Sequence, residues 1–206
     1  TASPTAGNTT AQSPAKSTPE TAKKDISGSY DATGTNPGGG GNYKADLKVT
    51  PHDDVYQFTW ESGGKSYDGV GVQTGSSVAV AFTEGDNGKG CGVVLYSIGS
   101  DGSLDGKTGY WGVNTMEREK ATRTSGSDLA GKYEISGKNP GGQTYSGTLE
   151  VSKKGEGYVF KWDAGSAFQG FGVKTGDKAA VGFGGQQCSF VAYEVKPDGT
   201  LEGKWG

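Results

Sequence analysis

The sequence predicts an all-β fold of two tandem homologous antiparallel meander units, barrel-like or sandwich-like, preceded by a flexible tail. Three observations predict it: an internal repeat, period-two alternation through both copies, and turn signals at the short spacing of all-β proteins. The stretch from Asp25 to Trp111 returns, residue class by residue class, from Asp128 to Trp205. Gly28 to Gly38 matches Gly131 to Gly141, each ending in Asn-Pro-Gly. Tyr56, Phe58 and Trp60 match Tyr158, Phe160 and Trp162, and Cys91 matches Cys188.

The elements follow in order. In the first unit, strands are expected near 28–34, 43–50, 55–62, 65–74, 77–84, 91–99 and 103–111. Tyr43, Ala45, Leu47 and Val49 alternate with Lys44, Asp46 and Lys48, which is the pattern of a strand with one wet face. The next strand places Tyr56, Phe58 and Trp60 on its apolar side. Asn36-Pro37-Gly38 and Asn139-Pro140-Gly141 read as tight turns, and Asp101-Gly102 and Asp198-Gly199 as hairpin turns rather than calcium loops. The resulting division is a Thr/Ser/Pro/Ala-rich tether over 1–25, unit one over 26–112, a linker or extra edge segment over 113–127, and unit two over 128–206.

Strand four of each unit carries two glycines on the face of an aromatic: Tyr67, Gly69 and Gly71, then Phe168, Gly170 and Gly172. Two readings stay open. The gaps are filled by rings such as Trp60 and Trp162, or they leave room for a ligand facing those same residues. Strand six, from Cys91 to Ile98, is apolar on both faces. One face is therefore expected between the units, with Val94, Tyr96, Ile98 and their equivalents Val191, Tyr193 and Val195 as the candidate interface. Cys91 and Cys188 are either bridged on a pseudo-twofold axis or two buried thiols.

Seven strands cannot close an up-and-down barrel, whose count is even. Unit one has an eighth candidate in the segment from Val113 to Thr124, with its charged run Glu117-Arg118-Glu119-Lys120. For unit two, the open edge is expected to pair with unit one, the tail or another protein.

The chemistry for catalysis is sparse. His52 is the single histidine, so no Ser-His-Asp, Cys-His or histidine-rich zinc set can be assembled, and it reads as a turn residue. Pairs such as Asp46 with Asp68, or Glu150 with Glu61, are expected to face water. No enzyme, catalytic residue, metal or cofactor is expected. A net charge of -3 and a pI near 5.2 argue against a nucleic-acid partner, and there is no apolar run of ~18 residues to span a membrane. The chain does not begin with methionine, and its polar start reads as the tether of an exported protein, with a lipid anchor upstream of Thr1 as one form of export.

The recurring pattern Gly-x-Tyr-x-x-x-Gly-x-Asn-Pro-Gly, then Tyr-x-Phe-x-Trp, Gly-x-Gly-Val and Asp-Gly-x-Leu-x-Gly, resembles a group of small exported bacterial β-repeat proteins, some of them labelled fibronectin-binding. The strand style is more loosely similar to avidin and lipocalin barrels. The resemblance implies export and a barrel-like body, and it carries over no catalytic or ligand residue. The expected function is that of a non-enzymatic extracytoplasmic binding or accessory structural protein, periplasmic, cell-surface or secreted. Its partner would be a protein of the cell envelope, or an extracellular matrix or glycan component, engaged through a sheet edge or the inter-unit surface. A carrier of a small apolar ligand, of calycin-like type, is the alternative, and a hydrolase comes third.

Overall fold

A computed structural model describes residues 24–85, 88–185 and 188–206, so most of the tether lies outside the described residues. Fifteen strands run along them: β1 (Gly28–Thr35), β2 (Asn42–His52), β3 (Val55–Ser62), β4 (Lys65–Thr74), β5 (Ser77–Glu84), β6 (Cys91–Ile98), β7 (Leu104–Tyr110), β8 (Glu117–Ser127), β9 (Ala130–Lys138), β10 (Thr144–Lys154), β11 (Gly157–Asp163), β12 (Ala167–Thr175), β13 (Lys178–Gly184), β14 (Ser189–Val195) and β15 (Leu201–Trp205). The turns fall where proline, glycine and aspartate were read. Gly102 and Gly199 hold φ of 80° and 94° in the two Asp-Gly hairpins, a region that costs a glycine little.

The strands form two curved antiparallel sheets, and neither is a sequence repeat. One is a closed eight-stranded barrel in the order β10-β11-β12-β13-β6-β7-β8-β9. The other is an open seven-stranded sheet in the order β1-β2-β3-β4-β5-β14-β15, curled into a half-barrel. At β5 the chain leaves the open sheet, and β6 pairs with β13 instead of β5. At β13 it leaves the barrel, and β14 pairs with β5. The repeats have exchanged their last strands inside one chain, so the boundaries at 112 and 128 are not boundaries between spatial units. The segment 113–127 is likewise no linker: from Glu117 it is barrel strand β8, paired with β7 and β9.

Each sheet has its own aromatic interior. Tyr96, Phe160 and Trp162 stack in the barrel, and Phe58, Trp60 and Tyr193 stack in the open sheet. Between the sheets lies a third apolar layer of small side chains: Val70, Val72, Ala79 and Ala81 from β4 and β5, against Val93, Leu95 and Ala180 from β6 and β13. Alanines and the bare Gly182 let the backbones approach. A β-carbon at Gly182 would stand 2.9 Å from the Phe190 β-carbon. The bridge Cys91–Cys188 joins the two crossing points, at the first residue of β6 and the residue before β14.

Strand six is buried on both faces, but the faces are inverted relative to the sequence reading. Val94, Tyr96 and Ile98 point into the barrel, and Val191, Tyr193 and Val195 into the open sheet, while Val93 and Leu95 make the inter-sheet layer. Alternation says which residues share a face and not which face is inside. The tyrosines decide it, because the Tyr96 hydroxyl finds an acceptor only inside the barrel.

Candidate functional site

Strand β8 shows what the eighth position demands. Its run Glu117-Arg118-Glu119-Lys120-Ala121 alternates, so Arg118 and Lys120 face water while Glu119 and Ala121 face the barrel interior. Glu119 is only 5% exposed. Burying a carboxylate is unfavourable unless donors replace its water. Here three do: the Tyr96 hydroxyl, the Tyr145 hydroxyl at 2.6 Å and Trp162 Nε1 at 3.2 Å all donate to its oxygens. Burial, and then the Glu119 charge, push both tyrosine hydroxyls well above their ordinary values.

Two glycines make this possible. Gly106 on β7 and Gly137 on β9 stand opposite Glu119 in register. The Tyr96 and Tyr145 rings lie over them, and a β-carbon would come within 2.7 Å of the Tyr96 ring at Gly106 and 2.5 Å of the Tyr145 hydroxyl at Gly137. The bare positions let both rings bend toward the eighth strand.

The open sheet repeats the arrangement without a β8 among the described residues. Tyr193 on β14, Tyr43 on β2 and Trp60 on β3 stand where Tyr96, Tyr145 and Trp162 stand in the barrel. Gly203 on β15 and Gly34 on β1 take the places of Gly106 and Gly137, and a β-carbon on either would come within 2.5 Å of the Tyr193 or Tyr43 side chain. Burial, the largest influence, pushes the Tyr193 hydroxyl up to about 12, opposed by the Trp60 N–H beside it. Tyr43 is raised too, again by burial. Trp205 on β15 contributes a further N–H. Its Nε1 is buried without a partner in hydrogen-bond geometry, although it lies near enough to the Tyr43 hydroxyl to favour the phenolate. Among the described residues β15 and β1 each keep one unpaired edge, and these four donors lie on β15, β14, β2 and β3. These edges run parallel to each other, as β7 and β9 do, so a strand pairing with both would be antiparallel to each.

A second polar group lies between the sheets. Asp68, expected to face water, is 2% exposed because Trp111 and the loop at Gly88 cover the outer face of β4. It accepts from Gln57 Nε2 and Trp111 Nε1, both at 3.0 Å, and from the Gly88 N–H at 3.4 Å. Gln57 in turn meets His52 Nε2 at 3.2 Å, so His52 is half-buried and partnered rather than a plain turn residue. A cavity of about 120 Å³ lined by His52, Gln57, Tyr110 and Trp111 adjoins them. Asp68 accepts from three donors, which suits it to hold Trp111 in place.

The glycines of strand four are packed over. A β-carbon at Gly71 would come within 2.5 Å of the Phe58 ring, and one at Gly170 within 3.1 Å of the Trp162 ring. Trp60 packs on Phe82 and Tyr67 on Phe82, while Trp162 stacks on Phe168 with centroids 4.9 Å apart. Gly69 and Gly172 approach the carbonyls of Ala81 and Ala180 on the next strand. Glu61 and Asp46 are paired neighbours on the outer face of the open sheet, and Glu150 is exposed on the barrel.

In the sequence Glu119 stands out only as part of a charged run. The signal that could have found it is the alternation of Glu117, Glu119 and Ala121 against Arg118 and Lys120, the pattern of a two-faced strand. No family model, no curated protein and no solved structure matches this chain.

Proposed function

We propose that this protein is a non-enzymatic extracytoplasmic binding protein that engages an extended segment of a protein partner through the open edge between β15 and β1. The observation that carries the reading is the seven-stranded sheet whose barrel twin has eight, its β1 and β15 each left with one unpaired edge among the described residues. Strand addition gives affinity through main-chain hydrogen bonds and specificity through alternate side-chain positions, and both components are present here. The bridge Cys91–Cys188 supports an oxidising compartment, where disulfides persist. The residues shared by the repeats pack and turn, which supports a binding rather than a catalytic role. The carrier alternative draws less support, since the strand-four gaps hold Phe58 and Trp162 rings.

Site-specific photo-crosslinking tests the proposal. Photoreactive residues at Thr33 on β1 or Lys204 on β15 are expected to capture a partner in the native cell envelope or its surroundings, and one at Lys161 on the barrel surface is not. Equal capture at all three positions, or none at either edge, would count decisively against edge binding.

A further inference from the structure

We infer that the strand accepted by the open sheet carries a carboxylate at the position equivalent to Glu119, with a small apolar residue two positions later. This rests on the edge-binding reading above and specifies the chemistry of its partner.

The barrel provides the template. There, the eighth strand offers one inward acid to Tyr96, Tyr145 and Trp162, and Ala121 fits opposite Leu104 and Ile135. In the open sheet Tyr193 and Tyr43 lie over Gly203 and Gly34, and the Trp60 N–H lies beside the Tyr193 hydroxyl. A neutral inward side chain would leave those N–H and O–H groups competing for one another. Trp205 Nε1, already buried and unpartnered, sharpens the preference for an acceptor. Leu201 and Ala32 stand where Leu104 and Ile135 stand, so the small residue has the same seat.

The stretch that precedes β1 in sequence is a poor match to this requirement. Ile26 corresponds to Leu129, since Tyr30 donates to the Ile26 carbonyl at 2.7 Å as Tyr133 does to that of Leu129. Counting back from Ile26 as Glu119 is counted from Leu129, the inward position falls on Lys16, which has no lone pair to offer, with Pro14 and Pro19 close by. The occupant is therefore a separate strand bearing the acid.

The test uses the full chain and a synthetic peptide of the sequence Glu117 to Ser127, with a second peptide in which the residue corresponding to Glu119 is glutamine. Binding is followed by calorimetry, and amide hydrogen exchange locates the site. The acid peptide is expected to bind at least about tenfold tighter than the glutamine peptide, with protection gained on β1 and β15. The Tyr43→Phe and Tyr193→Phe variants, checked for retained circular dichroism, are expected to reduce that preference. Equal binding of both peptides at this edge would overturn the carboxylate requirement and leave edge binding standing. Absence of binding by either peptide, or protection gained only on β7 and β9, would overturn both.

Discussion

At Glu119 the barrel holds an acidic side chain against two tyrosines and a tryptophan, and its charge is tolerable only because each donor reaches it. Removing the acceptor strands two buried donors, Tyr96 and Trp162, and the half-buried Tyr145. Glu119→Ala is expected to destabilise the fold by about 3 kcal/mol or more, and Glu119→Gln by about 1 to 2 kcal/mol, in chemical denaturation. Equal and negligible losses would show that the cluster fills space without contributing electrostatically. None of this was legible from residue identity. Tyr145 and Trp162 read correctly as inward aromatics from their alternation and Tyr96 as an interface residue, but nothing in the sequence says that their polar tips share one acceptor from a strand two or three positions away. Asp68 failed for a related reason. Its own strand marks it as outward, and only Trp111, brought in from another element, makes that outer face a buried one.

Among the elements, β4 and β12 were the most readable. A glycine every second residue beside an aromatic indicates that something bulky lies across the strand, and the structure supplies Phe58 over Gly71 and Trp162 over Gly170. Gly71→Ala is expected to lower stability by about 1 to 3 kcal/mol, since a methyl group must displace the fully buried Phe58 ring. A thermal melt indistinguishable from that of the parent chain would refute this packing role. β6 was half readable: two apolar faces correctly signal a strand covered on both sides, while the choice of inner face depended on the hydroxyl of Tyr96. β8 was visible as a charged segment that offered unit one an eighth strand, and its pairing with β7 and β9 makes it the closing strand of the barrel.

For the whole molecule, the exchange of strands between repeats is the dominant fact. Because β5 and β13 are near-copies, as are β6 and β14, either partner satisfies the same ladder and the same interior. The bridge at the two crossings closes a loop with a sequence separation of 97 residues, a span for which the chain-entropy model allows stabilisation of up to about 4.7 kcal/mol. The Cys91→Ser, Cys188→Ser double variant is expected to unfold at lower denaturant and, at high concentration, to show dimers in which β6 to β8 pair with a second copy. Unchanged midpoints in guanidinium with and without reductant would argue against a role for the bridge in holding the crossings.

The amino-acid sequence by itself determined the strands, their turns, the sharing of faces and the duplication, because period-two patterning and turn chemistry act over a few neighbouring residues. The tertiary structure alone decided which copy of each strand pairs with which, where the acid of β8 is buried and which sheet is left with free edges. Two similar repeats offer almost equal local energies for either pairing. The choice is settled by the small-residue layer between the sheets and by the bridge across the crossings, contacts between residues far apart in the chain.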